Sequence, residues 1–244
     1  MPQQQILSGD LIALHDYRSI YFAIPKVANS SMKALCADLI RARLNPRFVE
    51  EFWSDRWKPR IFREKYARAY LKRKGILLTR EELAECDTYW KFCLVRNPWD
   101  RIVSCWKQKV SDTSTLRGGD STRVAESLAG HGVFYPGMSF QRFVHTVAEI
   151  PDEDANGHFR SQYTFVTDEE GDLVVDFVGR MEAIETDLDH VFRTIGVSGH
   201  AIPHLLASGG KAYVEYYNRE TRELVAKRFA RDISLFEYSF DESA

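Results

Sequence analysis

The sequence lacks the features of several protein classes. No apolar run approaches the roughly 18 to 20 residues that a membrane-spanning helix requires, and the first ten residues, MPQQQILSGD, lack the basic and apolar regions of a signal peptide. The net charge of -2 provides no basic field of the kind that attracts nucleic acid. These absences predict a soluble, cytoplasmic protein with no transmembrane segment and no nucleic-acid partner.

Closely spaced cysteines are also missing. Cys36, Cys86, Cys93 and Cys105 show no CxxC spacing, and each lies in an apolar-rich segment. A reduced thiol in such a segment behaves as a small hydrophobic group. We therefore expect no disulfide and no zinc site.

The first informative stretch is residues 20–33, IYFAIPKVANSSMK. An apolar β-type segment runs into a short turn and then into a helix that begins near Ser30 or Ser31. Unpaired N–H groups at a helix start bind phosphate, and Lys26 adds a mobile charge. Serine is equally a common N-cap residue, and the glycines of the nucleotide-binding P-loop are absent, with Ala28 at one such place. This loop alone therefore fits either a phosphate site or an ordinary capped helix.

A second strand, loop and helix follows later in the chain. Residues 89–95, YWKFCLV, are apolar, aromatic and strand-like. Asn97 suits the N-cap, Pro98 suits the first helical position, and Asp100 falls in the first turn of a helix that extends to about Lys109. The second unit therefore repeats the arrangement of the first.

Arg96 and Ser104 give this second unit a possible function. Arg96 stands at the end of the strand, and Ser104 lies eight residues on, more than two turns into the helix. A guanidinium and a hydroxyl placed in this way can converge on one phosphate. Two phosphate sites in one chain suit a ligand with two well-separated phosphate groups.

The remaining segments complete an α/β pattern. Residues 47–74 are basic and aromatic and predict two amphipathic helices; packed aromatics with a solvated charged face are favoured over a polyanionic partner. Residues 111–137 are rich in Ser, Thr, Gly and Asp and predict a mobile loop or lid. The other predicted elements are strands at 10–15, 19–24 and 173–178, and helices from Ser31 to before Pro46, after Ser139, at 182–195 and at 219–236.

Together these motifs resemble the sulfotransferases that use 3′-phosphoadenosine 5′-phosphosulfate (PAPS), in particular the carbohydrate sulfotransferase branch and its bacterial relatives. IPKVANSSMK resembles their 5′-phosphosulfate loop, and LVRNPWDRIVSCW resembles their 3′-phosphate motif, including the Arg to Ser spacing. HFRSQY at 158–163, VVDFVGRMEAIETDLDHVF and TRELVAKRFARDISLFEYSF are similar to later parts of that branch. The resemblance covers nearly the whole chain and is weakest at 41–80 and 111–137.

The resemblance implies a single α/β domain over residues 1–244. Its expected fold has a central parallel β-sheet flanked by helices, with a P-loop-kinase-like layout. Two positions depart from the family pattern: Asn29 replaces a smaller residue, and Leu206 replaces an asparagine. Both concern details of the phosphate and product contacts.

The resemblance also implies the role of each site residue. Lys26 stabilises the leaving phosphate oxygen, and the donor is PAPS with PAP (3′,5′-adenosine bisphosphate) as product. His158 is the candidate catalytic base, with a neighbouring acidic turn expected to raise its basicity. No metal is required, since lysine, arginine and helix termini supply the positive charge, and the acceptor is a hydroxyl group, expected on a carbohydrate. The implied donor-binding residues are Lys26, Val27, Ala28, Asn29, Ser30, Ser31, Arg96 and Ser104, and the alternative bases are Glu81, Glu82, Glu85 and Asp87.

Two rival functions stay open at this point. A small-molecule kinase would share the strand, loop and helix phosphate site, but it would normally carry a glycine-rich loop and an acidic magnesium ligand, and neither is evident in the sequence. A non-catalytic PAPS- or PAP-binding protein would need Arg96 and Ser104 but not Lys26.

Overall fold

The computed structural model of the protein describes residues 10–40, 71–111, 128, 132–197 and 212–240. The chain divides into two compact units. The first unit comprises residues 1–24, 28–94 and 165–205, and the second comprises 25–27, 95–164 and 206–244.

The first unit contains a five-stranded sheet. Strand β1 (Asp10–Leu14) and strand β2 (Ser19–Ala23) pair antiparallel, with Asp10 opposite Ala23 and Leu14 opposite Ser19. A short 3-10 turn joins them and ends at Arg18, whose φ of 46° lies in the left-handed region. Both strands are almost wholly buried, which confirms the two strands predicted from the apolar pattern.

The sheet is mixed: the expected parallel arrangement is found between β2 and β4, whereas both pairings of β1 are antiparallel. Strand β2 runs parallel to β4 (Trp90–Val95), with Ser19 opposite Trp90. Strand β3 (Leu77–Leu78) instead pairs antiparallel with β1. The tight turn between β1 and β2 forces these two strands to be antiparallel, because only a longer crossover can return a chain parallel to itself. The strand order is β3, β1, β2, β4 and β5 (Phe177–Arg180).

Strand β5 begins later than the apolar run at 173–178 predicts. Leu173 is 41% exposed and forms only an isolated bridge with Thr167. Asp176 fixes the start of the strand, since its N–H donates to the Lys91 carbonyl and its carboxylate accepts from the Lys91 N–H. Gly179 then permits a close approach, because an added Cβ would lie 2.7 Å from Cδ2 of Leu94.

Within its described residues, the first unit contains the helices α1 (Asn29–Leu39), α2 (Arg80–Ala84) and α5 (Ile184–Thr194). Helix α2 begins with a capping box, in which Thr79 Oγ1 accepts from the Glu82 N–H and the Glu82 carboxylate accepts from the Thr79 N–H. Glu82, one of the alternative bases, therefore has a structural role at a helix start.

The second unit is helical. It contains α3 (Pro98–Lys109), α4 (Phe140–Ala148), α6 (Arg219–Arg228) and α7 (Ala230–Leu235). Asn97 and Ser139 cap α3 and α4 as predicted, through hydrogen bonds from the N–H groups of Trp99 and Arg142. The helix predicted at 219–236 is two helices, because the chain leaves helical geometry at Phe229. The core of the second unit is rich in aromatic side chains, including Phe134, Phe140, Phe143, Phe159 and Phe229.

Several sequence predictions concern residues outside the described ranges. They are the two helices at 47–74 before residue 71, most of the loop at 111–137, and the departure at Leu206. Among the helices that the structure describes, none has the length and apolar character needed to cross a bilayer.

Candidate active site

Lys26 lies in a strained turn of the second unit. Its φ is 73°, a left-handed conformation that side chains with a Cβ rarely adopt. Such a residue keeps this conformation only when surrounding contacts hold it. Two arginines provide these contacts: Arg96 Nη1 donates to the Lys26 carbonyl at 3.3 Å, and Arg101 Nε donates to the Pro25 carbonyl at 3.0 Å.

Arg96 is oriented by an ion pair with the first turn of α3, the helix that follows it. It is the residue after β4, and its Nε donates to Oδ2 of Asp100 at 2.7 Å, an i, i+4 ion pair. Its backbone is fixed by Gln162, whose side chain accepts from the Arg96 N–H at 2.9 Å and donates to the Arg96 carbonyl at 2.8 Å. The guanidinium predicted to bind phosphate therefore leaves the strand in a defined direction.

Asp232 supports this arrangement from α7. It is fully buried, and its two carboxylate oxygens accept from the N–H groups of Gln162 and Tyr163, both at 2.8 Å. Burial raises the pKa of Asp232 to about 6, against the opposing effect of these two hydrogen bonds. Through Gln162, this carboxylate fixes the segment on which the Arg96 backbone depends.

The Lys26 side chain points along α3. Its Nζ donates to Oε1 of Gln108 at 2.6 Å. Burial lowers the pKa of Lys26 to about 8, and repulsion from Arg96, Lys109 and Arg101 acts in the same direction. The ammonium group therefore lies in a region of positive potential.

Ser104 lies on the same face of α3. It is half-buried and stands three residues after Arg101 and four before Gln108. Residues spaced three and four apart lie on one side of a helix. Since Arg101 contacts Pro25 and Gln108 contacts Lys26, Ser104 lies between two contacts with the Lys26 turn.

His158 belongs to the same electrostatic environment. Burial lowers the pKa of His158 to about 3, and repulsion from Lys109, Lys26 and Arg101 adds to this effect. The expectation that the neighbouring acidic turn raises its basicity is wrong. One acid of that turn, Asp152, is paired elsewhere, with its Oδ1 accepting from Arg228 Nη2 at 2.7 Å and from the Ser161 N–H at 2.9 Å.

The tautomer of His158 follows from its hydrogen bond. Its Nδ1 lies 2.7 Å from Oδ1 of Asn156, and the same oxygen accepts from the His158 N–H at 3.0 Å. Because a carbonyl oxygen only accepts, Nδ1 carries the proton of the neutral ring. The unprotonated nitrogen is therefore Nε2, the atom able to accept a proton.

Among the other residues predicted to bind PAPS, Val27 is fully buried in the second unit. Ala28, in the first unit, also has a left-handed φ, 55°, and its carbonyl accepts from the Met32 N–H at 3.0 Å as α1 starts. Asn29 is the first residue of α1, and its buried Oδ1 has no hydrogen-bond partner among the residues that the structure describes. Ser31 is half-buried in the first turn, and Ser30 belongs to α1 with a side chain outside the description.

The second unit thus brings Lys26, Arg96 and His158 into one positively charged region. Sequence reasoning missed the residues that hold them: Arg101, Gln108, Gln162 and Asp232. The i, i+3, i+7 spacing places Arg101 and Gln108 on the same helix face as Ser104, and this was a usable signal for both of them. Gln162 and Asp232 act through backbone contacts across 66 and 70 residues, which no local pattern reveals.

Comparison with known proteins gives a family match over most of the chain. Residues 10–239 match the Sulfotransferase family. Carbohydrate sulfotransferase 14 of Mus musculus is 23% identical over 260 residues, which cover 97% of this chain and 62% of the relative. Carbohydrate sulfotransferase 11 of Rattus norvegicus is 27% identical over 208 residues, covering 78% and 54%. Carbohydrate sulfotransferase 10 of Danio rerio is 25% identical over 255 residues, covering 94% and 66%.

The chain therefore spans between 54% and 66% of the length of these three relatives. No solved structure matches it significantly.

Proposed function

The chain belongs to the sulfotransferase family, and from this we propose that it transfers the sulfuryl group of PAPS to a hydroxyl group of an acceptor. The observation that carries the proposal is the hydrogen bond from Arg96 Nη1 to the Lys26 carbonyl. This contact joins the loop that resembles the 5′-phosphosulfate loop to the motif that resembles the 3′-phosphate motif. A donor with phosphate groups at both positions requires these two motifs to be close.

The charges of the site fit a polyanionic donor. Arg96, Lys109 and Arg101 are close enough to lower the proton affinity of Lys26, and Lys109, Lys26 and Arg101 are close enough to lower that of His158. Bringing positive charges together costs electrostatic free energy, and a bound ligand with several negative charges reduces this repulsion. The fit of PAPS to this region is therefore electrostatic as well as a matter of motif.

In this proposal, Arg96 and Ser104 bind the 3′-phosphate. Lys26, the N–H groups from Val27 to Ser31 and the hydroxyls of Ser30 and Ser31 bind the 5′-phosphate, at the positive end of α1. When bound, PAPS supplies the sulfuryl group. Asn29, the first residue of that helix, is one of the two positions at which the chain departs from the family pattern, and its Oδ1 is buried.

Lys26 and His158 have separate tasks. The Lys26 ammonium stabilises the negative charge that develops on the leaving phosphate oxygen. His158 Nε2 accepts the proton of the attacking hydroxyl, and Asn156 Oδ1 holds the ring in the tautomer this requires. The acceptor oxygen must then lie in line with the bond that breaks.

We propose a carbohydrate as the acceptor, since the relatives carry the name carbohydrate sulfotransferase. We also propose that no metal takes part, because the cationic side chains supply the charge that a metal would provide. A cytoplasmic location is a further proposal. It is supported by four free cysteines, three of them buried, as expected in a reducing compartment.

The test is transfer of label from radiolabelled PAPS to a panel of oligosaccharides, with the amount of PAP formed measured in parallel. The proposal expects labelled product, formed equally well in the presence of EDTA. Thermal shifts measured with PAP and with ATP plus magnesium separate the rival functions. A larger shift with ATP would indicate a kinase, and a PAP shift without turnover on any acceptor would indicate a binding protein.

A further inference from the structure

The guanidinium group of Arg101 holds three backbone carbonyls. Nε donates to Pro25 at 3.0 Å, Nη1 to Arg160 at 2.8 Å and Nη2 to Gly157 at 3.1 Å. The side chain is only 1% exposed, and it is the largest fully buried side chain in the part of the chain that the structure describes. Each nitrogen of the group is thus used, in three different directions.

These three carbonyls stand beside the two residues assigned to chemistry. Pro25 directly precedes Lys26. Gly157 directly precedes His158, and Arg160 follows it by two residues. One side chain from α3 therefore connects the Lys26 turn with the His158 segment, which lie about 130 residues apart in sequence.

Burying a charged side chain costs free energy, and side-chain packing alone does not explain why a charge is buried here. Burial lowers the pKa of Arg101 to about 10, so the group stays charged at neutral pH. The three hydrogen bonds shown by the structure end on neutral carbonyls, whereas the carboxylates Asp232 and Asp152 act on it through charge alone. Replacing a buried ion by apolar residues is often neutral or stabilising for a fold, so stability is a weak reason for a charge at this place.

We propose that Arg101 is a positioning residue for sulfuryl transfer, fixing the Lys26 turn and the His158 segment relative to each other. The proposal rests on the proposed function. Arg101 acts through the backbone of its neighbours, so its contribution is geometric: it holds the left-handed Lys26 in place and sets where His158 Nε2 lies. A displacement of about 1 Å in such a group can lower the rate by roughly a hundredfold.

Lysine is the informative replacement. Arg101→Lys keeps the positive charge, but an ammonium on a flexible stem lacks the planar fork that reaches three acceptors in fixed directions. Arg228→Lys is the matched control. Arg228 is also largely buried and also uses three nitrogens, on Ile150, Ser161 and Asp152, but it contacts neither the Pro25 nor the Gly157 carbonyl.

The experiment compares three proteins: wild type, Arg101→Lys and Arg228→Lys. For Arg101→Lys we expect kcat to fall by about 10- to 100-fold, while the Kd for PAP, measured by calorimetry, changes by less than about threefold. For Arg228→Lys we expect a loss of Tm comparable to that of Arg101→Lys, with kcat within about threefold of the wild-type value. An Arg101→Lys protein with kcat within threefold of wild type, or a kcat loss equal to that of Arg228→Lys, would overturn the proposal.

A second measurement does not depend on activity. Competitive acylation across pH, read by mass spectrometry at Lys26, gives the proton affinity of that amine. We expect a Lys26 pKa near 8 in wild type and in Arg228→Lys. In Arg101→Lys we expect a higher Lys26 pKa, because the turn becomes more exposed to water and the effect of burial is reduced. An unchanged Lys26 pKa in Arg101→Lys would contradict the positioning role.

If Arg101→Lys does not fold, Arg101→Gln replaces it, because a neutral amide leaves no buried charge and still reaches one carbonyl. The same separation of kcat from PAP affinity is expected, and its absence counts equally against the proposal. Failure of the proposed function is a different result: wild type itself would form no labelled product. The acylation result at Lys26 would still report on the Arg101 contacts.

Discussion

The carbonyl of Lys26 accepts a hydrogen bond from Nη1 of Arg96 at 3.3 Å. The two residues are 70 positions apart, one in the turn after β2 and the other directly after β4. The contact makes the position of one motif depend on the other.

Lys26→Ala is expected to affect catalysis more than binding. If the ammonium interacts with charge that develops on the leaving oxygen, its contribution grows in the transition state. We expect kcat to fall by about 10² to 10³, with a much smaller change in PAP affinity, from steady-state kinetics and calorimetry. Weakened PAP binding with an unchanged kcat would show that Lys26 only binds the nucleotide.

Arg96→Ala is expected to weaken PAP binding. Loss of one charged hydrogen-bond partner costs about 1.5 to 3 kcal/mol, which corresponds to roughly one to two decades in Kd. The affinity for adenosine 5′-phosphate should change far less, because that nucleotide lacks the 3′-phosphate. Arg142→Ala, at an exposed position of α4, is the control. Unchanged PAP affinity in Arg96→Ala would remove this residue from the site.

The local parts of both motifs could be predicted because they depend on near neighbours. The cap of Asn97 on the Trp99 N–H and the first-turn position of Asp100 follow from residue types a few positions apart. The break at Phe229 and the late start of β5 could not be predicted. Asp176 sets the latter through Lys91, 85 residues away, a contact that the apolar pattern at 173–178 does not contain.

The effect of the acidic turn on the pKa of His158 was predicted with the wrong sign for the same reason. In the sequence, His158 follows an acidic turn, and its basicity should rise. In the folded chain, Asp152 is paired with Arg228 from α6, while burial and then the charges of Lys109, Lys26 and Arg101 lower the pKa of the imidazole. Charge proximity is decided by tertiary contacts, so a local run of acids is a poor guide to the pKa of a neighbouring histidine.

Asp232→Asn is expected to destabilise the fold. Each carboxylate oxygen accepts one buried backbone N–H, from Gln162 or Tyr163. Asparagine offers one acceptor, so one N–H would face an NH₂ group and stay unsatisfied. Urea denaturation should show a loss of about 1 to 3 kcal/mol, whereas Asp154→Asn, at an exposed position, should show almost none. Unaltered stability in Asp232→Asn would mean that the Gln162 and Tyr163 N–H groups find other acceptors.

PAP affinity is expected to decrease above pH 8. The pKa of Lys26 is lowered to about 8 in the free protein, and an anionic ligand binds the protonated amine in preference. As pH rises through 8, the free protein loses this proton, and Kd should rise by about a few fold between pH 8 and 9.5, in line with the small affinity change expected for Lys26→Ala. Lys26→Arg keeps its charge throughout and should show a flatter profile. A flat wild-type profile over this range would argue against Lys26 as a donor ligand.

His158 is expected to determine the acid side of the kcat profile. The pKa of about 3 in the free protein leaves the ring neutral at pH 7 and Nε2 able to accept a proton, although as a weak base. Bound donor brings negative charge next to Lys26 and so offsets the repulsion that lowers this pKa. The acid limb of kcat, which reports the complex, should therefore lie at higher pH than the pKa of the free His158.

Replacement of His158 tests this assignment. We expect His158→Ala to lower kcat by about 10² to 10⁴ with nearly unchanged PAP affinity, and to remove the acid limb of kcat. Asn156→Ala should have an intermediate effect, because the ring keeps its nitrogens but loses the contact that places the proton on Nδ1. A His158→Ala protein with near-normal kcat and the same acid limb would move the base to a carboxylate such as Glu81, Glu85 or Asp87. Glu82 is the least suitable of that group, since its carboxylate already caps α2.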